Sequence, residues 1–360
     1  MWVTSSLDTA LTPTSVALGN FDGVHRGHQR VVQPVLNVSG TRQPLTVSPG
    51  WEWRKSLEAT TGLPSDETSE MGADGRIEPT YATVVTFNPH PQEFFSGQRR
   101  TLLTPLDEKV QRLRSLGVEQ LVLLPFDREL ADLSPQQFIE KILVQKLRAT
   151  RVSVGEDFCF GNRRAGTSAD LQAIAASYGI DVTIVPLQTC QGERISSSMI
   201  RQSLLEGDLS TANRLLGDSY QLTGRVVKGQ QLGRTIGFPT ANLQVPPEKF
   251  LPSQGVYCVQ VFLGQQKSKA DATQDNDSAF FASQRLPGVM NLGQRPTIGG
   301  KTTTIEIHLL DWSGDLYDQS LTVSLEKFLR PEQKFTSLNA LKEQIAADSA
   351  AARVFLSTHS

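Results

Sequence analysis

The hydrophobic period of this chain changes once, near Tyr220, and that change asks for two different architectures. From Val16 to about Leu216 short apolar runs alternate with helical patterns, the rhythm of a parallel sheet covered by helices. Strands are predicted at Val16 to Phe21, Ala82 to Phe87, Gln120 to Leu124, Arg151 to Gly155 and Asp181 to Val185. Between them, Thr104-Pro105-Leu106-Asp107 reads as a helix start, with Leu106, Val110, Leu113 and Leu116 at helical spacing and Gly117 as the stop. Ser134-Pro135-Gln136-Gln137 reads as a capping box opening a helix with Phe138, Ile139, Ile142, Leu143 and Leu147 as its buried stripe. Past Tyr220 the apolar period is two, over Gly255 to Leu263, Gly288 to Leu292, Thr302 to Asp311 and Leu321 to Leu329, with no helix between. That predicts an antiparallel sheet or barrel, crossed by a final helix from Ser337 to about Leu356. The expected fold class is therefore α/β plus β: a doubly wound parallel-sheet domain over 14–216, then an antiparallel β-barrel domain with a terminal helix over 217–358. Residues 38–80 and 265–284 fit neither pattern, and their polar composition reads as two disordered insertions.

Charge narrows the function classes. Lys plus Arg number 35 against 37 Asp plus Glu, a net charge of −2, so no overall positive field draws the chain to nucleic acid. No apolar run has the length of a membrane span, and the first twenty-five residues hold neither Lys nor Arg, which points to a cytoplasmic protein without a leader. Cys159, Cys190 and Cys258 are too few and too scattered for a disulfide framework or a zinc ribbon.

Gly19-Asn20-Phe21-Asp22-Gly23-Val24-His25-Arg26-Gly27-His28 follows the first predicted strand and opens the first helix, the place where an open parallel sheet binds nucleotides. Its glycines let backbone approach a phosphate, and the helix start presents free N–H groups to it. His25 and His28, three apart, project from nearly one face and can donate to the oxygens of a reacting phosphate. Helix-capping histidines or a zinc pair are the plainer alternatives. Further on, Ser196-Ser197-Ser198 precede a helical pattern, with Arg201 as a forked cation for phosphate; a simple serine N-cap is the alternative. His90, between Pro89 and Pro91, is held in a stiff extended turn that suits a ligand contact or a structural role. Asp157 can meet adenine, ribose or the backbone of Phe158.

In the second half, Gly229-Gln230-Gln231-Leu232-Gly233-Arg234-Thr235 is not a Walker A loop: three residues separate its glycines, and Arg stands where Lys is needed. Thr240 and Asn242, two apart in an extended segment, point the same way and offer neutral oxygen ligands, as magnesium on ATP phosphates accepts; bare turn chemistry is the alternative. Ile305, Ile307 and Leu309 take one strand face, leaving Glu306 and His308 on the other. A carboxylate there is a candidate general base, or an exposed cross-strand charge.

The H-x-G-H element resembles the nucleotidylyltransferase superfamily. With Thr86-Phe87-Asn88-Pro89-His90-Pro91, Val154 to Gly161 and Arg194 to Arg201 the first half resembles the adenylyltransferase module of the bacterial bifunctional riboflavin kinase/FMN adenylyltransferase (FAD synthetase) family. Gly233-Arg234, Gly237-Phe238-Pro239-Thr240-Ala241-Asn242, Asn291 to Thr297, Ile305 to Leu309, Gly314 to Tyr317 and Phe328 to Glu332 resemble the riboflavin kinase module. The resemblance implies phosphorylation of riboflavin by ATP at the barrel and adenylylation of FMN, with release of pyrophosphate, at the first domain. It implies Glu306 as catalytic base, with His25 and His28 at the adenylyl transfer. Nucleotide and phosphate contacts are implied for Gly19, Asn20, Phe21, Asp22, Gly23, Gly27, Asp157, Ser196, Ser197, Ser198, Arg201, Gly229, Gly233, Arg234 and Thr240. Flavin contacts are implied for Asn88, His90, Pro91, Phe160 and Arg330, and magnesium, bound with ATP, for Thr240 and Asn242. Met199 stands where the family often carries Arg, which removes a cation from the serine run. The implied partners are riboflavin, FMN and ATP, with neither nucleic acid nor membrane, and transient self-association is left open.

Overall fold

Residues 1–36, 80–190, 192–229, 233, 236–263, 285–297 and 300–358 are described in this computed structural model. Apart from Thr80, the insertions expected at 38–80 and 265–284 lie outside them, as do Gln231, Leu232 and Arg234. The chain divides into two compact units, Met1–Arg100 with Leu106–Ile195, and Thr101–Pro105 with Ser196–Ser360.

In the first unit β1 (Trp2–Thr4), β2 (Thr14–Leu18), β3 (Tyr81–Asn88), β4 (Gln120–Pro125), β5 (Ala149–Gly155) and β8 (Asp181–Val185) form a parallel sheet. Their order is β1-β4-β3-β2-β5-β8. Two short antiparallel pairs decorate its loops, β6–β7 (Cys159–Phe160 with Gly166–Thr167) and β9–β10 (Thr189–Cys190 with Glu193–Arg194). Alternate residues feed two cores. Val16, Leu18, Val85 and Val152 pack on one face against Phe138, Ile142 and Leu171, while Ala17, Val84 and Leu121 pack on the other against Val31, Val35 and Leu113. Burial on both faces is why these strands read as unbroken apolar runs rather than alternating ones. Helices α1 (Arg26–Leu36) and α3 (Leu106–Ser115) cover one face; α5 (Pro135–Phe138) and α6 (Ser168–Ala176) cover the other. The short helices α2 (Pro91–Ser96) and α4 (Arg128–Ala131) follow β3 and β4. Ser134 forms the expected capping box, but the helix it opens continues over Ile139–Lys146 as a π-helix. The expected stripe of Phe138, Ile139, Ile142, Leu143 and Leu147 is buried throughout.

The second unit closes β11 (Tyr220–Val227), β12 (Ala241–Gln244), β13 (Gly255–Leu263), β14 (Arg285–Thr297), β15 (Gly300–Leu309) and β16 (Ser320–Arg330) into an antiparallel barrel. The strand order is β11-β12-β15-β14-β13-β16. The terminal helix α9 (Leu338–Thr358) buries Ala352 and Leu356 against Val256, Cys258 and Val289. The packing units differ in extent from the expected domain spans. Trp2–Thr4 pairs with β4, so the first unit begins before residue 14. Helices α7 (Ser197–Glu206) and α8 (Leu209–Leu216) belong to the barrel unit, so the units part at Ile195 rather than Leu216. The reason is local: the Asn213 side chain donates to the Leu325 carbonyl of β16 at 3.0 Å and accepts the Tyr220 N–H of β11 at 2.8 Å.

Candidate active sites

The strand order of the first sheet reverses at β2, with β3 and β4 to one side and β5 and β8 to the other. Such a reversal opens a crevice at the carboxyl ends of the strands, and Gly19 to His28 leaves β2 at that point. The turn is tightly wound. Phe21 and Val24 take φ of 49° and 43° with both side chains buried, while Gly23 takes 93°. Asp22 and His25 are each 5% exposed.

His25 does cap α1: its Nδ1 accepts the His28 N–H at 3.2 Å. That bond fixes more than the helix. A ring nitrogen that accepts carries no proton, so neutral His25 holds its proton on Nε2 and presents it as a donor. Burial pulls its pKa down to about 4, against smaller upward pulls that include Asp22. The His28 ring stacks on it at 3.6 Å between centroids and 13° between planes, and leans on Phe21 at 5.3 Å. Burial first, then His25, then Lys109, holds His28 well below the usual histidine range. Its buried Nδ1 finds no hydrogen-bond partner among the described residues. At neutral pH the pair is thus two uncharged imidazoles, suited to hydrogen bonding with a phosphate rather than to pairing as imidazolium. The zinc alternative gains nothing, since no cluster of three or more His, Cys, Asp or Glu suited to a metal occurs among the described residues.

The depressed His25 pKa has a sign that can be measured. As pH falls below the unfolded value of 6.5 the unfolded chain takes up a proton that the folded one refuses until about pH 4, so folded stability drops across that window. The loss by pH 5 is about 2 kcal/mol. Urea unfolding at pH 7.5 and pH 5 is expected to show it, and His25→Asn is expected to shrink the difference by His25's share, leaving the part that the depressed His28 and His90 contribute in the same direction.

Two further segments meet this crevice from the strands flanking β2. Asn88 ends β3, His90 and Pro91 follow it into α2, and Asp157 follows β5. His90 is the N-cap of α2: its Nδ1 accepts the Gln92 N–H at 3.1 Å, and Glu93 accepts the His90 N–H at 3.1 Å. Burial, with Arg100 second, lowers its pKa. Beside it opens a cleft of about 290 Å3 lined by Pro89, Glu93, Gly97, Gln98 and Arg99. Asp157 forms an ion pair with Arg194. Phe160, expected at the flavin, is buried in the core between Phe138 and Phe158 at centroid distances of 5.5 and 5.8 Å. Gly19 and Gly27 lie under rings: a Cβ would stand 3.2 Å from Phe21 at the first and 3.2 Å from His25 at the second.

Ser196, Ser197, Ser198 and Arg201 fall in the second unit. Ser196 is the N-cap of α7, accepting the Met199 N–H at 3.3 Å, so the plain capping reading holds there. Arg201 donates to the Thr101 carbonyl at 3.2 Å and lies over the Phe250 ring.

In the barrel, register gathers the expected polar residues. Asn242 on β12 stands opposite Glu306 on β15, and Glu306 stands opposite Asn291 on β14, so the carboxylate is flanked by two amide side chains on one face. Ile305, Ile307 and Leu309 are buried on the other face, as their alternation predicts. His308 holds the approach to Thr240: its Nδ1 donates to the Pro239 carbonyl at 2.9 Å, with its ring edge-on to Phe238. The glycine loop comes equally close. A methyl group on Gly229 would lie 2.2 Å from Asn242 Nδ2, and one on Gly233 would lie 2.2 Å from the Phe238 carbonyl and 3.3 Å from Thr240 Oγ1. Arg330 is spoken for by another partner. Its guanidinium meets the Asp348 carboxylate of α9 at 2.8 Å with both side chains largely buried, so it ties the terminal helix to β16.

A doubly wound sheet with a neutral histidine pair at its switch point, followed by a barrel with a carboxylate beside a glycine loop, defines a two-module transferase of phosphorus-containing groups. Comparison with known proteins makes the class specific. A riboflavin kinase family model matches residues 216–356, and an FAD synthetase family model matches 7–48 and 70–199. The Escherichia coli K12 bifunctional riboflavin kinase/FMN adenylyltransferase is 38% identical over 341 residues, covering 94% of this chain and 92% of its own. The Listeria monocytogenes protein of the same description is 32% identical over 94% of this chain and 91% of its own. A solved Streptococcus pneumoniae structure, described as a macrolide-efflux protein, shares 26% identity over 98% of both chains with a TM-score of 0.74. No helix among the described residues is long and apolar enough to cross a membrane. The chain belongs to the bifunctional riboflavin kinase/FMN adenylyltransferase family, and it uses ATP to make FMN from riboflavin and FAD from FMN.

Proposed function

We propose that the two steps run on separate residue sets: riboflavin phosphorylation on Glu306, Thr240 and Asn242, and FMN adenylylation on the turn bearing His25 and His28. The observation that carries this reading is the cross-strand placement of Glu306 between Asn242 and Asn291. In the first step Glu306 takes the proton of the ribityl 5′ hydroxyl as that oxygen attacks the γ-phosphorus of ATP and ADP leaves. Thr240 and Asn242 fit magnesium by chemistry: they are neutral hard-oxygen donors next to a carboxylate, in a cradle that a Cβ on Gly229 would fill. When bound there, the ion would neutralise charge on the ATP phosphates. Asn242 keeps its orientation by lying on the bare Cα of Gly229, and His308 holds the backbone just before Thr240.

In the second step an oxygen of the FMN phosphate attacks the α-phosphorus of ATP and pyrophosphate leaves. The nucleophile is already ionised, so no strong base is needed. Neutral His25 donates from Nε2, and His28, stacked on it, offers a second imidazole to the oxygens on which charge develops. In this reading Asn88, His90 and Pro91 receive the flavin.

Gly229→Ala tests the barrel half gently. The added methyl displaces the Asn242 side chain, so the KM for ATP in riboflavin phosphorylation is expected to rise about fivefold, the worth of one hydrogen bond. FAD formation from supplied FMN is expected to be unchanged. The decisive experiment is to incubate the purified protein and its Glu306→Gln and His28→Ala variants with riboflavin or FMN, ATP and magnesium, and to separate the flavins. Loss of both steps in either variant would overturn the assignment.

A further inference from the structure

Lys109 is a charged side chain that the sequence places on a buried stripe. It follows Leu106 by three residues and precedes Leu113 by four, so α3 turns it toward the sheet with them. It is 9% exposed, and burying an ammonium costs free energy unless a partner compensates. Its Nζ donates to the Asn20 carbonyl at 2.9 Å, and Thr86 Oγ1 on β3 donates to the same oxygen at 3.0 Å. Asn20 immediately precedes Phe21, whose φ of 49° a non-glycine residue holds only when its surroundings impose it. Two donors from α3 and β3 thus clamp the peptide that aims the turn carrying Asp22, His25 and His28.

We propose that Lys109 is a positioning residue for adenylyl transfer: through the Asn20 carbonyl it holds the strained turn that presents the histidine pair to the reacting phosphate. This rests on the assignment of adenylyl transfer to that turn. The charge of Lys109 has a second consequence. Burial pulls its pKa below the usual lysine value against the upward pull of Asp22, and its charge opposes protonation of His28 and His90. The groups facing His28 are His25, which caps α1, and Lys109 on α3; those facing His90 are Arg100, Asp22, Glu93 and Lys109. Removing the ammonium lets both imidazoles protonate at higher pH.

The test compares Lys109→Met and Thr86→Val in FAD formation from FMN, with riboflavin phosphorylation as the control for intact protein. Lys109→Met is expected to lower kcat about tenfold or more while KM for ATP moves less than about twofold, the sign of misalignment rather than lost binding. It is also expected to move the acid limb of the pH profile upward. Thr86→Val weakens the same clamp without touching charge, so it is expected to lower kcat with the acid limb unmoved. An unchanged kcat and pH profile in Lys109→Met would overturn the proposal. If Lys109→Met does not fold, Thr86→Val decides alone, and an unchanged kcat there overturns it. His28→Ala, run beside them, separates the two readings: if it leaves FAD formation intact, the site assignment itself has failed, whereas its loss with a normal Lys109→Met condemns only the clamp.

Discussion

Glu306→Gln is expected to cut FMN formation from riboflavin by about a hundredfold or more, the usual cost of removing a general base, while FAD formation from supplied FMN stays normal. The substitution keeps the shape of the side chain and its place between Asn242 and Asn291, so the barrel keeps its register and packing. What disappears is the acceptor for the hydroxyl proton. Glutamine can still orient the ribityl chain, so KM for riboflavin is expected to hold while kcat falls, the pattern of an interaction made in the transition state. Flavin separation after incubation with riboflavin, ATP and magnesium reads the result directly. A kcat within about threefold of the parent would mean that Glu306 is an ordinary cross-strand charge, which its alternation alone also allows.

The fold was legible wherever the hydrophobic pattern spans enough residues to show a period. Asp181–Val185 and Gly255–Leu263 appear as predicted, and the other parallel strands differ at their ends by a few residues. Trp2–Thr4 escaped notice because three residues have no period, and only pairing with β4 makes them a strand. Ala241–Gln244 was hidden inside the Pro-Thr-Ala-Asn motif, which reads as turn chemistry until β11 and β15 supply partners. The packing seam at Ile195 lies before residue 216, where the riboflavin kinase match begins, because Asn213 ties α8 to β11 and β16, a contact that leaves no mark in periodicity.

The candidate sites divide along the same line. Glu306, Asn242 and the histidine pair were found because spacing of two on a strand and three on a helix places side chains on one face before any tertiary contact is known. Long-range partners were not visible. Arg330 in its motif gives no hint that Asp348, eighteen residues on, takes its guanidinium. Phe160 is a flavin candidate by motif and a core residue by packing. Lys109 did leave a signal, a charge on an apolar stripe, which a helix reading discards as noise. Capping and ligand binding do not exclude each other at His25: the nitrogen that caps α1 decides that the proton sits on the other nitrogen.

His28→Ala is expected to produce the mirror image of the Glu306 variant: FAD formation from FMN falls by about a hundredfold or more, and riboflavin phosphorylation is untouched. The His28 ring is held by stacking on His25 and by Phe21, and its buried Nδ1 has no partner among the described residues. Alanine removes the imidazole that faces the crevice and uncovers His25, whose pKa rises as water reaches it. The variant therefore carries a second readout. Activity that remains should be more sensitive to acid than that of the parent, because the surviving histidine begins to protonate nearer pH 6. Unfolding of the first unit alone would give the same loss, because the two units bury separate cores and the barrel would go on phosphorylating, so the comparison requires a His28→Ala protein with a normal circular dichroism spectrum. Loss of riboflavin phosphorylation in a His28→Ala protein with a normal circular dichroism spectrum would show one shared active centre in place of two.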